Sequence, residues 1–127
     1  MKKNKTITKT EFKNKLIDIT LKNKNGFTIN LNLKNPNYKK GFYIAITDNS
    51  HKNINIAIEK LLKIKEKKYK DIKKGLFFGG WYDNEKTKKY YIDLSIYTKS
   101  KKQALFLGKL FNQKAIFDLL NLNSIYL

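Results

Sequence analysis

The sequence predicts an α+β domain in which two helices lie against an antiparallel sheet. Three observations carry this expectation. Apolar residues alternate with polar ones over 90–97, the period of a half-buried strand. Between 54 and 72 the spacing changes to that of an amphipathic helix. Two alternating runs also flank Asn25-Gly26, a dipeptide suited to the positive φ of a tight hairpin turn. At 127 residues a single domain, 1–127, is expected.

Residues 1–15 read as a basic arm, flexible unless a helix signal inside it prevails. Thr8-Lys9-Thr10-Glu11 fits a capping box, and Phe12, Leu16 and Ile19 share one helical face. A stronger signal competes from Ile17 onward. Ile17, Ile19 and Leu21 alternate with polar neighbours, as do Phe27, Ile29, Leu31 and Leu33. The expectation is an N-terminal β-hairpin with strands 17–22 and 27–33. Lys34 to Gly41 contains the single proline, Pro36, and is a loop.

Phe42 to Thr47 follows as a strand, with Phe42, Ile44 and Ile46 on one face, and Asp48-Asn49-Ser50 punctuates it. Ile54, Ile58, Leu61, Leu62, Tyr69 and Ile72 mark a helix of about twenty residues, stopped at Gly75. Leu76 to Tyr82 is a strand in which Gly79-Gly80 signals a bulge or a close backbone approach. A polar turn, 83–88, leads to the strand 90–97. Ser100-Lys101-Lys102-Gln103 opens a second helix ending near Asn112, and Ala115 to Leu119 is a final strand. From 42 to 119 the order is therefore βαββαβ, the ferredoxin-like order, preceded by the hairpin.

Charge is the strongest compositional feature. The chain holds 28 lysines, no arginine and 10 acids, for a net charge of +18. Its 15 Asn and 15 Ile accompany that lysine, and all three residue types have A/T-rich codons, so part of the charge records codon bias. Even so, +18 attracts polyanions. Residues 1–40 carry net +9 and residues 60–74 net +6, whereas 75–98 are neutral. Lys60, Lys63, Lys67, Lys70 and Lys74 are spaced 3, 4, 3, 4 and fall on one helical stripe. Such a stripe can track phosphates. It is equally the solvated face that any amphipathic helix needs. Without arginine, bidentate reading of guanine is missing, so nucleic-acid binding should be phosphate-dominated and salt-sensitive.

Trp81, Tyr82, Tyr90, Tyr91 and Tyr97 cluster on one predicted hairpin. Trp81, Tyr91 and Tyr97 are candidate binding residues. An RNA-recognition motif stacks bases on aromatics of its first and third strands. Here the third-strand run, Lys88 to Ser95, lacks the glycine of that pattern and has Asp93 where the second aromatic belongs. Sheet packing is the competing role for these rings.

Several chemistries are excluded. Without cysteine there are no disulfides, thiolate nucleophiles or Cys-ligated metals. His51 is the only histidine and lies in a polar loop, so neither a metal site nor a catalytic residue is expected. Gly75, Gly79 and Gly80 lack the Gly-Lys-Ser/Thr of a phosphate-binding loop. No cofactor or small-molecule ligand is expected. No apolar run approaches the 18 residues of a membrane span, and no secretory signal follows the basic start.

Phe78-Gly79-Gly80-Trp81-Tyr82-Asp83, Tyr91-Ile92-Asp93-Leu94-Ser95 and Asn112-Gln113-Lys114-Ala115-Ile116-Phe117-Asp118 occur in order. With Asn25-Gly26-Phe27-Thr28 and Gly41-Phe42-Tyr43-Ile44 they resemble a family of small bacteriophage and mobile-element proteins over roughly residues 25–119. The resemblance implies a genomic setting in which small non-enzymatic proteins counter host defences, CRISPR effectors included. The expected function is therefore inhibition of a defence nucleoprotein complex by steric occlusion, in the cytoplasm of a bacterial host. Its partner would be the effector protein or its guide or target nucleic acid. The alternatives are a general nucleic-acid-binding accessory protein, and a small nuclease or toxin-like enzyme using His51.

Overall fold

The computed structural model describes residues 7–127. Those residues form three helices on one face of a seven-stranded sheet. The elements are α1 (Lys9–Lys22), β1 (Phe27–Asn30), β2 (Phe42–Ala45), β3 (Ser50–His51), α2 (Ile54–Lys68), β4 (Phe77–Tyr82), β5 (Tyr90–Thr98), α3 (Lys101–Leu110), β6 (Ala115–Asp118) and β7 (Asn123–Tyr126). Every pairing is antiparallel, in the order β1-β4-β5-β2-β6-β7, and β3 pairs with β5 beyond the end of β2. None of these helices is long and apolar enough to cross a membrane.

This overturns the expected fold. Two helices, a ferredoxin-like βαββαβ order and an N-terminal hairpin are replaced by three helices, a longer sheet and an N-terminal helix. Residues 17–22, expected as a strand, belong to α1. The capping box prevails: Thr8 Oγ1 accepts from the Glu11 amide at 3.0 Å, and the Glu11 carboxylate accepts from the Thr8 amide at 3.3 Å. In the helix Leu16 and Thr20 are the buried pair, four residues apart, and Leu21 of the apparent alternation is exposed. Thr20 Oγ1 donates to the Leu16 carbonyl at 2.8 Å, which satisfies its hydroxyl inside the core. Of the expected arm, residues 1–6 lie outside the described residues, and from Lys9 the chain is helical.

Other boundaries also move. β1 stops at Asn30, whose side chain accepts from the amides of Asn32 and Lys34 and folds the chain back, with Leu33 at φ 63°. α2 stops at Lys68, so the predicted helix is six residues too long at its C-terminal end, judged against Lys74. The final hairpin gains β7, and Ser50–His51 gains β3.

The core sits between the helices and one sheet face. Leu16 of α1 and Ala57, Ile58 and Leu61 of α2 pack on Ile29, Phe78, Ile92 and Leu94. A second cluster joins Ala104 of α3 to Ile44 and Ile116. Phe12 meets Phe78 with ring centroids 5.7 Å apart, and Lys13 pairs with Glu59 across the two helices. Gly80 makes this packing possible, because a Cβ there would sit 2.8 Å from the Phe27 ring and 2.9 Å from Ile92 Cδ1.

Leu16 is 0% exposed, so α1 is part of the fold and not an appendage. Leu16→Ala should cost about 2–5 kcal/mol in denaturant unfolding, the range for a truncated core leucine. A loss of less than about 0.5 kcal/mol, as expected at a surface position, would show that α1 does not contribute to the core.

Candidate functional site

Strand alternation assigns every β5 side chain to one of two faces. Ile92, Leu94 and Ile96 point toward the helices, and Tyr91, Asp93, Ser95 and Tyr97 point away from them. The register carries this division across the sheet. Thr28, Phe77, Gly79 and Trp81 join the uncovered face from β1 and β4. Tyr43 and Ala45 join it from β2, and Phe117 from β6. Among the described residues no helix lies on that face. It is hollowed into a groove of about 740 Å³, bounded at one side by Asn35, Pro36 and Tyr38 of the β1–β2 loop and at the other by Phe117, Ser124 and Tyr126.

Aromatic rings form the two ends of the floor. Trp81 and Tyr91 are stacked, 5.0 Å apart and inclined by 15°. Trp81 remains 47% exposed, so one indole surface is available to a ligand. The Tyr91 hydroxyl is tied to Thr87 Oγ1 at 3.1 Å. At the other end Tyr38 lies flat on Tyr97, 3.8 Å between centroids and 5° between planes, and both touch Tyr43. Tyr97 in turn covers Gly41, where φ is +113° and a Cβ would fall 2.4 Å from the phenol oxygen. The Tyr97 hydroxyl donates to the Lys40 carbonyl. This end is a packed cluster, and burial, with Tyr38 and Tyr97 alongside, pushes Tyr43 up to about 12.

Between the rings lies a polar strip. Gly79 leaves it open: a Cβ there would lie 3.7 Å from Ser95 Oγ and 3.8 Å from Thr28 Oγ1, so both hydroxyls border the same spot. Among the described residues Asp93 is the one acid lining the groove. Its Oδ1 accepts from Thr47 Oγ1 at 2.8 Å and from the Asn49 amide at 3.0 Å. Those donors fill Oδ1, leaving the second oxygen for the groove. Burial raises the carboxyl to about 6, outweighing the two hydrogen bonds that pull it down.

The structure separates the two sets of residues singled out from the sequence. Trp81, Tyr91 and Tyr97 share the open face, the first two stacked on one another at the groove and the third packed under Tyr38. Lys60, Lys63 and Lys67 are exposed on α2, whose buried residues face the opposite side of the sheet. Lys70 and Lys74 lie beyond the end of α2 and do not continue a helical stripe. None of the groove-lining positions among the described residues is a lysine, although lysine makes up 28 of the 127 residues. Exposed Lys34 and Lys39 adjoin Asn35 and Tyr38 in the loop that borders the groove, whereas the Lys24 ammonium lies over the Tyr82 ring, 5.6 Å from its centroid.

Tyr43 could have been found, since a strand with Phe42, Ile44 and Ile46 inward must turn Tyr43 outward. Tyr38 carries no local signal, being a loop residue positioned by the Tyr97 ring, 59 positions further along the chain. His51 accepts at Nδ1 from the Asn53 amide at 2.9 Å and serves the turn into α2. Among the described residues no group of three or more His, Cys, Asp or Glu is placed to hold a metal ion. No family model matches the chain, and neither a curated protein nor a solved structure matches it.

Burying Asp93 has a pH signature. Its carboxyl moves from 3.8 to about 6 on folding, so between these values the native state holds a proton that the unfolded chain has released. Stability therefore falls as pH rises through that window, and the cost, about 3 kcal/mol for a shift of roughly two units, is fully present above it. Asp93→Asn removes the charge but keeps an oxygen for Thr47 and Asn49. It should raise stability by about 1–3 kcal/mol near pH 8, with the gain disappearing below about pH 4. A gain that persists unchanged at low pH would contradict a buried charge as its source.

Proposed function

We propose that this chain is a non-enzymatic binding protein of a bacteriophage or mobile element. In this reading it acts in the cytoplasm of a bacterial host and inhibits a defence nucleoprotein complex of the CRISPR type by steric occlusion. The observation that carries the proposal is the placement of positive charge on α2. Lys60, Lys63 and Lys67 are exposed there, while Ala57, Ile58 and Leu61 are buried. At three- and four-residue spacing these ammonium groups occupy one side of the helix. Lys65 and Lys68 extend the positive surface through the last turn.

Such a surface needs only anionic groups of matching reach, and phosphates along a nucleic acid supply them without base-reading geometry. The acidic face of an effector protein would meet the same lysines. The +18 net charge adds long-range attraction, which is screened by salt. The genomic setting implied by the motif resemblance supplies the defence-inhibition part of the reading.

The test is a salt titration of binding. Each lost phosphate contact should change the slope of log K against log salt by about 0.9 on duplex DNA. Lys63→Ala with Lys67→Ala should therefore flatten the slope by nearly 2, with the isolated effector complex or its nucleic acid as the binding partner. An unaltered slope would remove α2 from the interface. Tight binding to any free nucleic acid, with no preference for the assembled effector, would favour the accessory-protein alternative.

A further inference from the structure

The geometry points to a second binding site on the opposite side of the molecule. The groove on the uncovered sheet face takes single-stranded nucleic acid, seating one unpaired base on Trp81 beside Asp93, with its phosphates at the lysine rim. This rests on the proposal that a nucleic acid is among the partners, but it assigns different residues and a different chemistry from α2.

Three properties of the groove have to be met together by its ligand. It offers a half-exposed indole backed by Tyr91, a face suited to stacking a flat ring. Its polar strip presents an Asp93 carboxylate oxygen and two hydroxyls, Thr28 and Ser95, around the bare backbone of Gly79. The loop at its edge carries exposed Lys34 and Lys39 beside the lining residues Asn35 and Tyr38, while no lining position among the described residues is a lysine.

Each simpler ligand uses only part of this. A cation would suit Asp93 and the rings but must approach against a net charge of +18. A neutral sugar would suit the rings and hydroxyls and gain nothing from the rim. A duplex would turn its phosphates inward onto Asp93. A single strand uses all three properties: phosphates outside on lysine, a base on the indole, and an exocyclic amino group donating to the carboxylate. Asp93 then enforces orientation, because it repels phosphate and accepts from a base. The site also differs from the sheet-centre stacking of RNA-recognition motifs. The aromatics of β2 and of the far end of β5 are already covered by Tyr38, and Tyr43 is only 6% exposed.

Trp81 is the only tryptophan in the chain, so its fluorescence reports on the groove alone. An unstructured oligonucleotide of about eight nucleotides, within the span of known single-strand sites, should quench it saturably. Trp81→Ala removes a half-exposed ring and should weaken binding about ten-fold by fluorescence anisotropy of a labelled strand, with the salt slope unchanged. Asp93→Asn should erase a preference for adenine or cytosine strands over thymine strands. Saturable binding without quenching, or Trp81→Ala binding as tightly as the parent, overturns the assignment. Quenching by a lysine-rich peptide but not by any oligonucleotide overturns it too and gives the groove to a protein segment. The α2 variant separates the two proposals. A flattened slope without quenching leaves α2 and sinks the groove, and quenching with an unaltered slope does the opposite.

Discussion

One strand sets the two faces of this molecule. β5 pairs with β4, β2 and β3, so the register of most of the sheet is set against it. Because successive side chains of a strand point to opposite faces, placing Ile92 and Leu94 under the helices obliges Asp93 and Ser95 to face away from them. A slip of one residue would bury the carboxylate beneath α2 and expose two of the largest core side chains. The hydrophobic demand of the core thus fixes where the polar strip of the groove lies, without any interaction between strip and helices.

The groove has a cost that its surroundings meet. A carboxyl held at about 6 is an unfavourable group to bury, and it is retained where Thr47 and Asn49 both donate to it. Asn49 also anchors the bend between β2 and β3, its side-chain nitrogen donating to the carbonyls of Ala57 at 2.9 Å and Ile92 at 2.8 Å. The acid of the groove, the kink in the sheet and the first turns of α2 are therefore one hydrogen-bonded unit. The aromatic end is equally fixed: the loop carrying Pro36 and Tyr38 is held against the sheet by ring contacts with Tyr43, Phe77 and Tyr97.

Much of this was legible from local pattern. The alternation of 90–97, the helix after Asn53, the Ser100 cap and the strand at 115 are written in neighbouring residues, and the structure has them. Tyr91, Asp93, Ser95 and Tyr97 could be placed together on one face. The N-terminal region was misread because two local codes overlap there. Ile17, Ile19 and Leu21 satisfy a strand's period, while Phe12, Leu16 and Thr20 satisfy a helix's, and only packing on Phe78 and Leu61 decides between them. The strands β3 and β7 are too short, or too polar, to announce themselves. The groove itself needed the sheet order, since it gathers residues from both ends of the chain. The lysine pattern was ambiguous for a different reason: codon bias fills any solvated surface with the same residue. That makes its absence from the groove the more informative observation.

Gly80 shows how tightly the covered side constrains the open one. Its missing side chain is the space into which Phe27 and Ile92 fit, and the neighbouring Gly79 leaves open the space that Thr28 and Ser95 border. Residue 80 and residue 27 are in effect a single volume shared between two positions of the chain. Descendants of this protein can redistribute that volume but not enlarge it, so a bulkier residue at one position should be inherited together with a smaller one at the other.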